Sequence, residues 1–235
     1  MADGVHPFYE SHRRAMEASM RQRMDLAEPL FRERAHLTDI AAIRREVLDE
    51  FQVVLGQMPY VGGSANRMSD FFMRLWGFQA IGRVLHRRGV PLPVIADIER
   101  ETLKRQLLTI PEAERLASGR QFLSPDNQAF IRQQAANSVT DGHRQAYPGD
   151  FVYDFVEPGP GDAFDFGVDY KECGFCKCAA RDGDSAILPA LCGLDFDAYA
   201  VRGIKLVRTQ TIASGASHCN FRFSRLDPDE DRRQE

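Results

Sequence analysis

The residues of this chain most able to do chemistry are its thiols. Glu172–Cys178, ECGFCKC, holds three of the five cysteines, and Cys192 and Cys219 lie downstream. A thiolate can be a nucleophile, a metal ligand or half of a redox couple, whereas a buried thiol behaves as a small hydrophobe. A structural zinc site normally shows two Cys-x2-Cys or His-x3-His half-sites. Here there is one, so Cys192 and Cys219 would have to join it from separate elements. A thioredoxin-like pair needs a βαβ setting, and the flanking pattern is not of that kind. The spacing alone therefore leaves a thiol-lined active site, a metal site and simple packing open. Cys173 and Cys176 are the expected functional thiols, and Cys178 the expected packing residue.

Other candidates sit near these thiols in the chain. Asp195 follows Cys192 by three residues, so a helix would present thiol and carboxylate on one face. That carboxylate can serve as a general base or hold an ammonium or amidine. Arg208 interrupts the apolar run IKLVRTQT, and an arginine on a buried strand face has to be paired. It can pair with an internal acid, for which Glu172 is a candidate, or clamp a substrate carboxylate with its two-pronged fork. Gly62-Gly63 precedes Ser64 and Asn66 at a helix start, where open N–H groups can hold an anion. A plain turn explains that glycine pair equally well. His143 and His218 read as solvated turn histidines. There is no phosphate-binding glycine loop, serine elbow, His-Glu-x-x-His or dinucleotide fingerprint.

These residues must be carried by an α+β framework. Ile40, Ile43, Val47, Phe51 and Val54 recur at helical spacing behind Thr38 or Asp39 as cap. A second helix is expected from a Ser64 cap, along a stripe of Met68, Phe71, Leu75 and Phe78, to a stop at Gly89. PVIADIERETLKRQLL and SPDNQAFIRQQAANSV give two more, the latter with Ser124-Pro125 at its start. Beyond HRQAYPGD the pattern changes to short aromatic and β-branched runs broken by Pro158-Gly159-Pro160-Gly161, which predicts two strands and a turn. DSAILPALCGLDFDAYAVRG reads as a helix ending at Gly203. IKLVRTQTIASGASHCNFRFSR reads as strand, turn and strand, with Phe221 and Phe223 on one face. The expected organisation is one domain: a helical portion over 1–145, a smaller α+β portion with an antiparallel sheet over 146–227, and a polar tail at 228–235.

Composition supports a globular chain. It is 43% hydrophobic and 27% charged over 235 residues, enough to bury a sizeable core. A net charge of −4 argues against nucleic acid as a partner. No window approaches 18 apolar residues, so no membrane span is expected. MADGVHPFYESHRR lacks the apolar stretch of a secretory leader, which points to the cytoplasm. The expected partner is a small-molecule substrate, and the Arg-rich N-terminal helix could serve as a contact in a homo-oligomer.

Taken as an ordered set, the segments MPYVGGSANRMSDFF, FDFGVDYKECGFCKCA, LPALCGLDFDAYAVRGIKLVRTQTIASG and HCNFRF resemble the L-2-amino-thiazoline-4-carboxylic acid hydrolase family. The resemblance runs from about Leu37 to Phe223 through the elements ECG-x-C, LC-x-x-D, RT-x-T-x-x-x-G and C-x-F-x-F. It implies a hydrolase that adds water to the C=N carbon of a cyclic amidine-like thiazoline carboxylate, giving a carbamoyl-cysteine. The implied catalytic set is Cys173, Cys176, Cys192, Asp195 and Cys219. Arg208, Gly63, Ser64 and Asn66 are expected to bind substrate. Asn220 departs from the family's usual Cys-Asp-Phe. The last segment also resembles the four-vinyl-reductase-type ligand-binding domain, which keeps a non-catalytic binding module and a divalent metal, zinc or manganese, among the expectations.

Overall fold

The computed structural model describes residues 4–227, so the expected polar tail at 228–235 lies outside the described residues. In chain order its helices are α1 (Pro7–Ala35), α2 (Ile40–Gln57), α3 (Arg67–Arg87), α4 (Leu92–Leu108), α5 (Glu112–Phe122), α6 (Pro125–Ser138), α7 (Asp141–Ala146), α8 (Gly174–Asp182) and α9 (Leu188–Ala200). The strands are β1 (Val152–Val156), β2 (Phe166–Glu172), β3 (Ile204–Val207) and β4 (Cys219–Arg225). The class is α+β. Among the described residues no helix is long and apolar enough to cross a membrane. Contacts divide the chain into two units, Met1–Gln106 with Phe175–Leu194, and Leu107–Gly174 with Asp195–Glu235.

The first unit is helical. Asp39 caps α2 by accepting from the Ala42 N–H at 3.2 Å. Ile40, Ile43, Val47, Phe51 and Val54 are all buried. The cap of α3 differs from expectation: it is Asn66, not Ser64. Asn66 Oδ1 accepts from the Met68 N–H at 2.9 Å while its Nδ2 donates to Val61 O at 2.6 Å. An amide carries both an acceptor and a two-proton donor, so it finishes the helix and ties down the incoming loop together. Ser64 is left exposed in a 3₁₀ turn, Gly63–Ala65. The stripe on α3 is also broader than the sequence suggests, since every residue from Leu75 to Leu85 is buried. A helix covered on all sides loses its one-faced pattern. Phe72 is fully buried while Phe71 is half-buried. Both rings, with Trp76, surround Phe175 of α8 at centroid distances of 5.6, 4.9 and 5.6 Å.

The second unit is built on the sheet, in the order β1-β2-β4-β3, antiparallel throughout. Alternation gives it two characters. Tyr153, Phe166, Val168, Ile204, Cys219, Phe221 and Phe223 are buried on one face. Asp169 and Arg222 pair on the other at 2.7 Å. Phe122 of α5 and Tyr199 of α9 cover the apolar face, each packing on Phe223 with centroids 5.0 and 4.9 Å away. Ser124 caps α6, as the sequence indicates.

Helix α5 also touches the turn that feeds β3. Arg115 Nη1 donates to Val201 O at 2.6 Å. A Cβ placed on Gly119 would stand 1.9 Å from Arg202 O, which is backbone and cannot step aside. Gly119→Ala should therefore push α5 off this turn and cost about 1–3 kcal/mol, a drop of several degrees in melting temperature. A circular-dichroism melt of the variant that overlays the native curve would contradict that close approach.

Candidate functional site

Arg208 lies one residue past the end of β3 rather than inside it. Val207 faces Arg222 across the ladder, so the next residue falls opposite Phe221 on the apolar face. Its guanidinium sits between two rings, 4.8 Å from the Phe196 centroid and 4.9 Å from that of Phe221. With the side chain only 5% exposed, the charge needs a counter-ion. That counter-ion is Asp195 on α9: Nη1 donates to Oδ2 at 2.7 Å. The sequence-based candidate, Glu172, is not the partner. It ends β2 half-exposed, where Arg144 from α7 reaches it at 2.5 Å.

Burial pushes the Asp195 carboxyl up to about 6, against the opposing pull of Arg208's charge and hydrogen bond. Arg208 Nη1 thus holds Oδ2 of a carboxylate largely ionised at neutral pH.

The segment after Arg208 is held by its own side chains. Asn220 Oδ1 accepts from the N–H groups of Thr209 and Gln210, each at 3.0 Å, and its Nδ2 donates to Thr209 Oγ1 at 2.8 Å. The side chain thus continues the β3–β4 ladder where β3 stops. Thr211 caps a second 3₁₀ turn, Ile212–Ser214, which ends at Gly215 with φ +89°. The Ile212 N–H, first in that turn, donates to the Cys219 sulfur at 3.2 Å. The fixed positions of RT-x-T-x-x-x-G thus supply, in order, charge pairing, a ladder contact, a cap and a left-handed exit. Thr209, Thr211 and Phe196 were absent from the sequence-based site, although the Thr-x-Thr spacing beside Arg208 was the signal for two of them.

The other expected residues fall as follows. Cys173, half-buried, follows β2 directly. Helix α8 opens at Gly174, inside ECGFCKC, and carries Cys176 half-buried and Cys178 buried. Burial pushes the Cys178 thiol up to about 12, so it stays protonated and packs. Cys192, half-buried, is on α9 three residues before Asp195. Gly63 is closely walled, since a Cβ there would stand 3.2 Å from both Phe8 and the Tyr60 hydroxyl. Thus Cys173, Asp195, Arg208 and Cys219 belong to the second unit, and Gly63, Ser64, Asn66, Cys176 and Cys192 to the first.

His143 is not a solvated turn residue. It sits on α7 with Nε2 2.7 Å from Oδ2 of the buried Asp150. A cavity of about 330 Å³ in the first unit is lined by Glu50, Arg83, Arg87, Asp182, Asp184 and Ile187, among others, and by none of the expected site residues. Its carboxylates are already engaged by arginines: Arg83 contacts Glu50, Asp182 and Asp184, and Arg87 contacts Glu50. Among the described residues no group of three or more His, Cys, Asp or Glu is gathered so that it could hold a metal ion.

The residues just described fall within a stretch that is recognisable as a whole. A family model for L-2-amino-thiazoline-4-carboxylic acid hydrolase matches residues 101–223. The chain belongs to this family. The match begins within α4, ends at Phe223 on β4, and includes ECGFCKC, Asp195, Arg208 and Cys219. The Gly63–Asn66 segment precedes it. No curated protein and no solved structure matches the chain.

Asn220, the departure from the thiazoline hydrolase motif, is explained by the ladder it continues. An aspartate would accept the same two N–H groups, and Thr209 could turn its hydroxyl to donate. Asn220→Asp should leave stability within about 0.5 kcal/mol of native. Asn220→Ala removes the acceptor of two N–H groups, one exposed and one part-buried, and should cost about 0.5–1.5 kcal/mol. Urea titration of both variants checks this, and an alanine variant as stable as the native chain would remove the anchoring role.

Proposed function

We propose that the chain hydrolyses a small cyclic amidine-like carboxylate of the thiazoline type, with water adding to the C=N carbon. The observation that carries this reading is Asp195, a buried carboxylate poised near 6 with one oxygen fixed by Arg208. A general base acts best when its pKa lies close to the working pH. In the first step the amidinium form of the substrate reacts. The Asp195 carboxylate takes a proton from water as the water oxygen bonds to the amidine carbon, and the C=N electron pair moves onto nitrogen. The tetrahedral carbon then releases the ring sulfur with its bonding pair, and Cys219 gives that sulfur its thiol proton. The hydroxyl proton of the new carbamoyl group returns to Cys219 through solvent. Asp195 then releases its own proton to solvent, which restores the one carried in by the amidinium. Substrate and water are the only reactants consumed.

In this reading Arg208 positions Asp195 and keeps it anionic. Cys219 is preferred as proton donor because it shares the sheet face of Arg208, two residues and about 7 Å from Phe221. Steady-state turnover of 2-aminothiazoline-4-carboxylate, followed by the thiol released, tests the reading. The value of kcat/KM should rise with pH around an apparent midpoint of about 6. Asp195→Asn should lower kcat by about 10²–10⁴, with circular dichroism confirming that the variant folds. A flat acid limb in the native chain, or undiminished turnover in the folded variant, would sink the role of Asp195. Tight binding of the substrate without turnover would instead favour a binding module.

A further inference from the structure

The Ile212 N–H that meets Cys219 is held in place by a set of bonds that leads to one side chain. Thr211 is 9% exposed and extended, with φ −139° and ψ 150°. Its Oγ1 accepts from the Ser214 N–H at 3.2 Å and donates to Ser214 Oγ at 2.9 Å. Its carbonyl accepts from the N–H groups of Ser214 and Ala216, both at 3.1 Å. Gly215 closes the turn by donating to Ile212 O at 2.9 Å. One threonine thereby fixes both ends of the turn, and the first N–H of that turn is 3.2 Å from sulfur. A hydrogen bond donated to sulfur favours the thiolate over the thiol. Titratable groups placed near Cys219 include Tyr170 opposite on β2, His218 beside it in the chain, and the Arg208–Asp195 pair beyond Phe221.

We propose that Thr211 is a positioning residue: by fixing this turn it aims the Ile212 N–H at Cys219 and stabilises the thiolate formed when that cysteine gives up its proton. The functional consequence rests on the reading of Cys219 as proton donor, whereas the effect on the sulfur does not.

The test reads the sulfur separately from turnover. Peptide-resolved alkylation by iodoacetamide is followed from about pH 6 to 10 in the native full chain, Thr211→Val and Thr211→Ser. The valine variant keeps the shape and loses the cap. Its Cys219 should be alkylated about tenfold more slowly at about pH 7.5, with the midpoint moved upward. Serine, which keeps the hydroxyl, should restore native behaviour. In the native chain the Ile212 amide proton should shift with pH at the same midpoint as Cys219 alkylation, a measurement that needs no variant. An unchanged Cys219 midpoint in folded Thr211→Val overturns the proposal, as does an Ile212 amide that ignores the titration. If the sulfur responds as expected but kcat does not change in Thr211→Val, the positioning of the thiolate stands and the proton-donor reading fails.

Discussion

An arginine on the apolar face of a sheet is the constraint around which the C-terminal residues are arranged. A guanidinium taken out of water costs several kcal/mol unless a partner and good geometry offset it. Arg208 gets both. Asp195 meets Nη1, and Phe196 and Phe221 lie over the planar group. The acid comes from the helix that covers the sheet, because the same-face neighbours on β4 are Cys219, Phe221 and Phe223, none of them a carboxylate. That requirement fixes how α9 lies from Asp195 onward. The helix must set Asp195 at the guanidinium and still seat Tyr199 on Phe223. A small shift would break either the ion pair or the aromatic packing, so the two interactions reinforce one alignment.

The segment after Arg208 shows how a short motif can be read as mechanics. β3 is four residues long, too short to hold its own end by ladder bonds alone. Asn220 supplies the missing acceptors from the neighbouring strand, and Thr211 restarts ordered backbone one residue later. The result is an anchored path of backbone from Arg208 towards Cys219, with hydrogen bonds holding Thr209, Gln210, Thr211 and Ile212 in turn. Sites held by such paths keep their geometry better than sites on free loops. It also explains why asparagine can stand where aspartate is usual. The position needs a side-chain oxygen at a given place, and charge is secondary.

Much of this framework was legible in the sequence, because local physics produces it. Asp39 and Ser124 cap helices as their positions suggest, and the alternation in FRFSR and the Pro-Gly turn give strands where strands occur. What was not legible depends on long-range partners. Glu172 and Asp195 are equally plausible mates for Arg208 in one dimension, and only the fold puts Asp195 in reach. Asn66 displaces Ser64 as a cap because the loop carbonyl at Val61 also needs a donor. Helix α8 was hidden because its pattern is dominated by closely spaced cysteines rather than by an apolar stripe. Its aromatic anchor, Phe175, finds its ring partners on α3, far away in the chain. His143 was misjudged for the same reason, since the buried Asp150 that fixes it lies beyond an intervening turn.

The poise of Asp195 is the outcome of two opposed effects, neither of which would suffice. Burial alone would drive the carboxyl to a neutral form useless as a base, and Arg208 alone would hold it near or below its ordinary 3.8. Together they leave it near 6, ionised at neutral pH yet basic enough to accept a proton. The same balance bears on stability. A carboxyl whose folded pKa is raised binds its proton more tightly in the folded chain than in the unfolded one. Its favourable contribution is therefore complete below about 3.8 and lost as pH rises through about 6. The chain gives up folding free energy over the same interval in which Asp195 ionises. The raised value follows from burial under the helix that covers the sheet, and Arg208 limits what that burial costs.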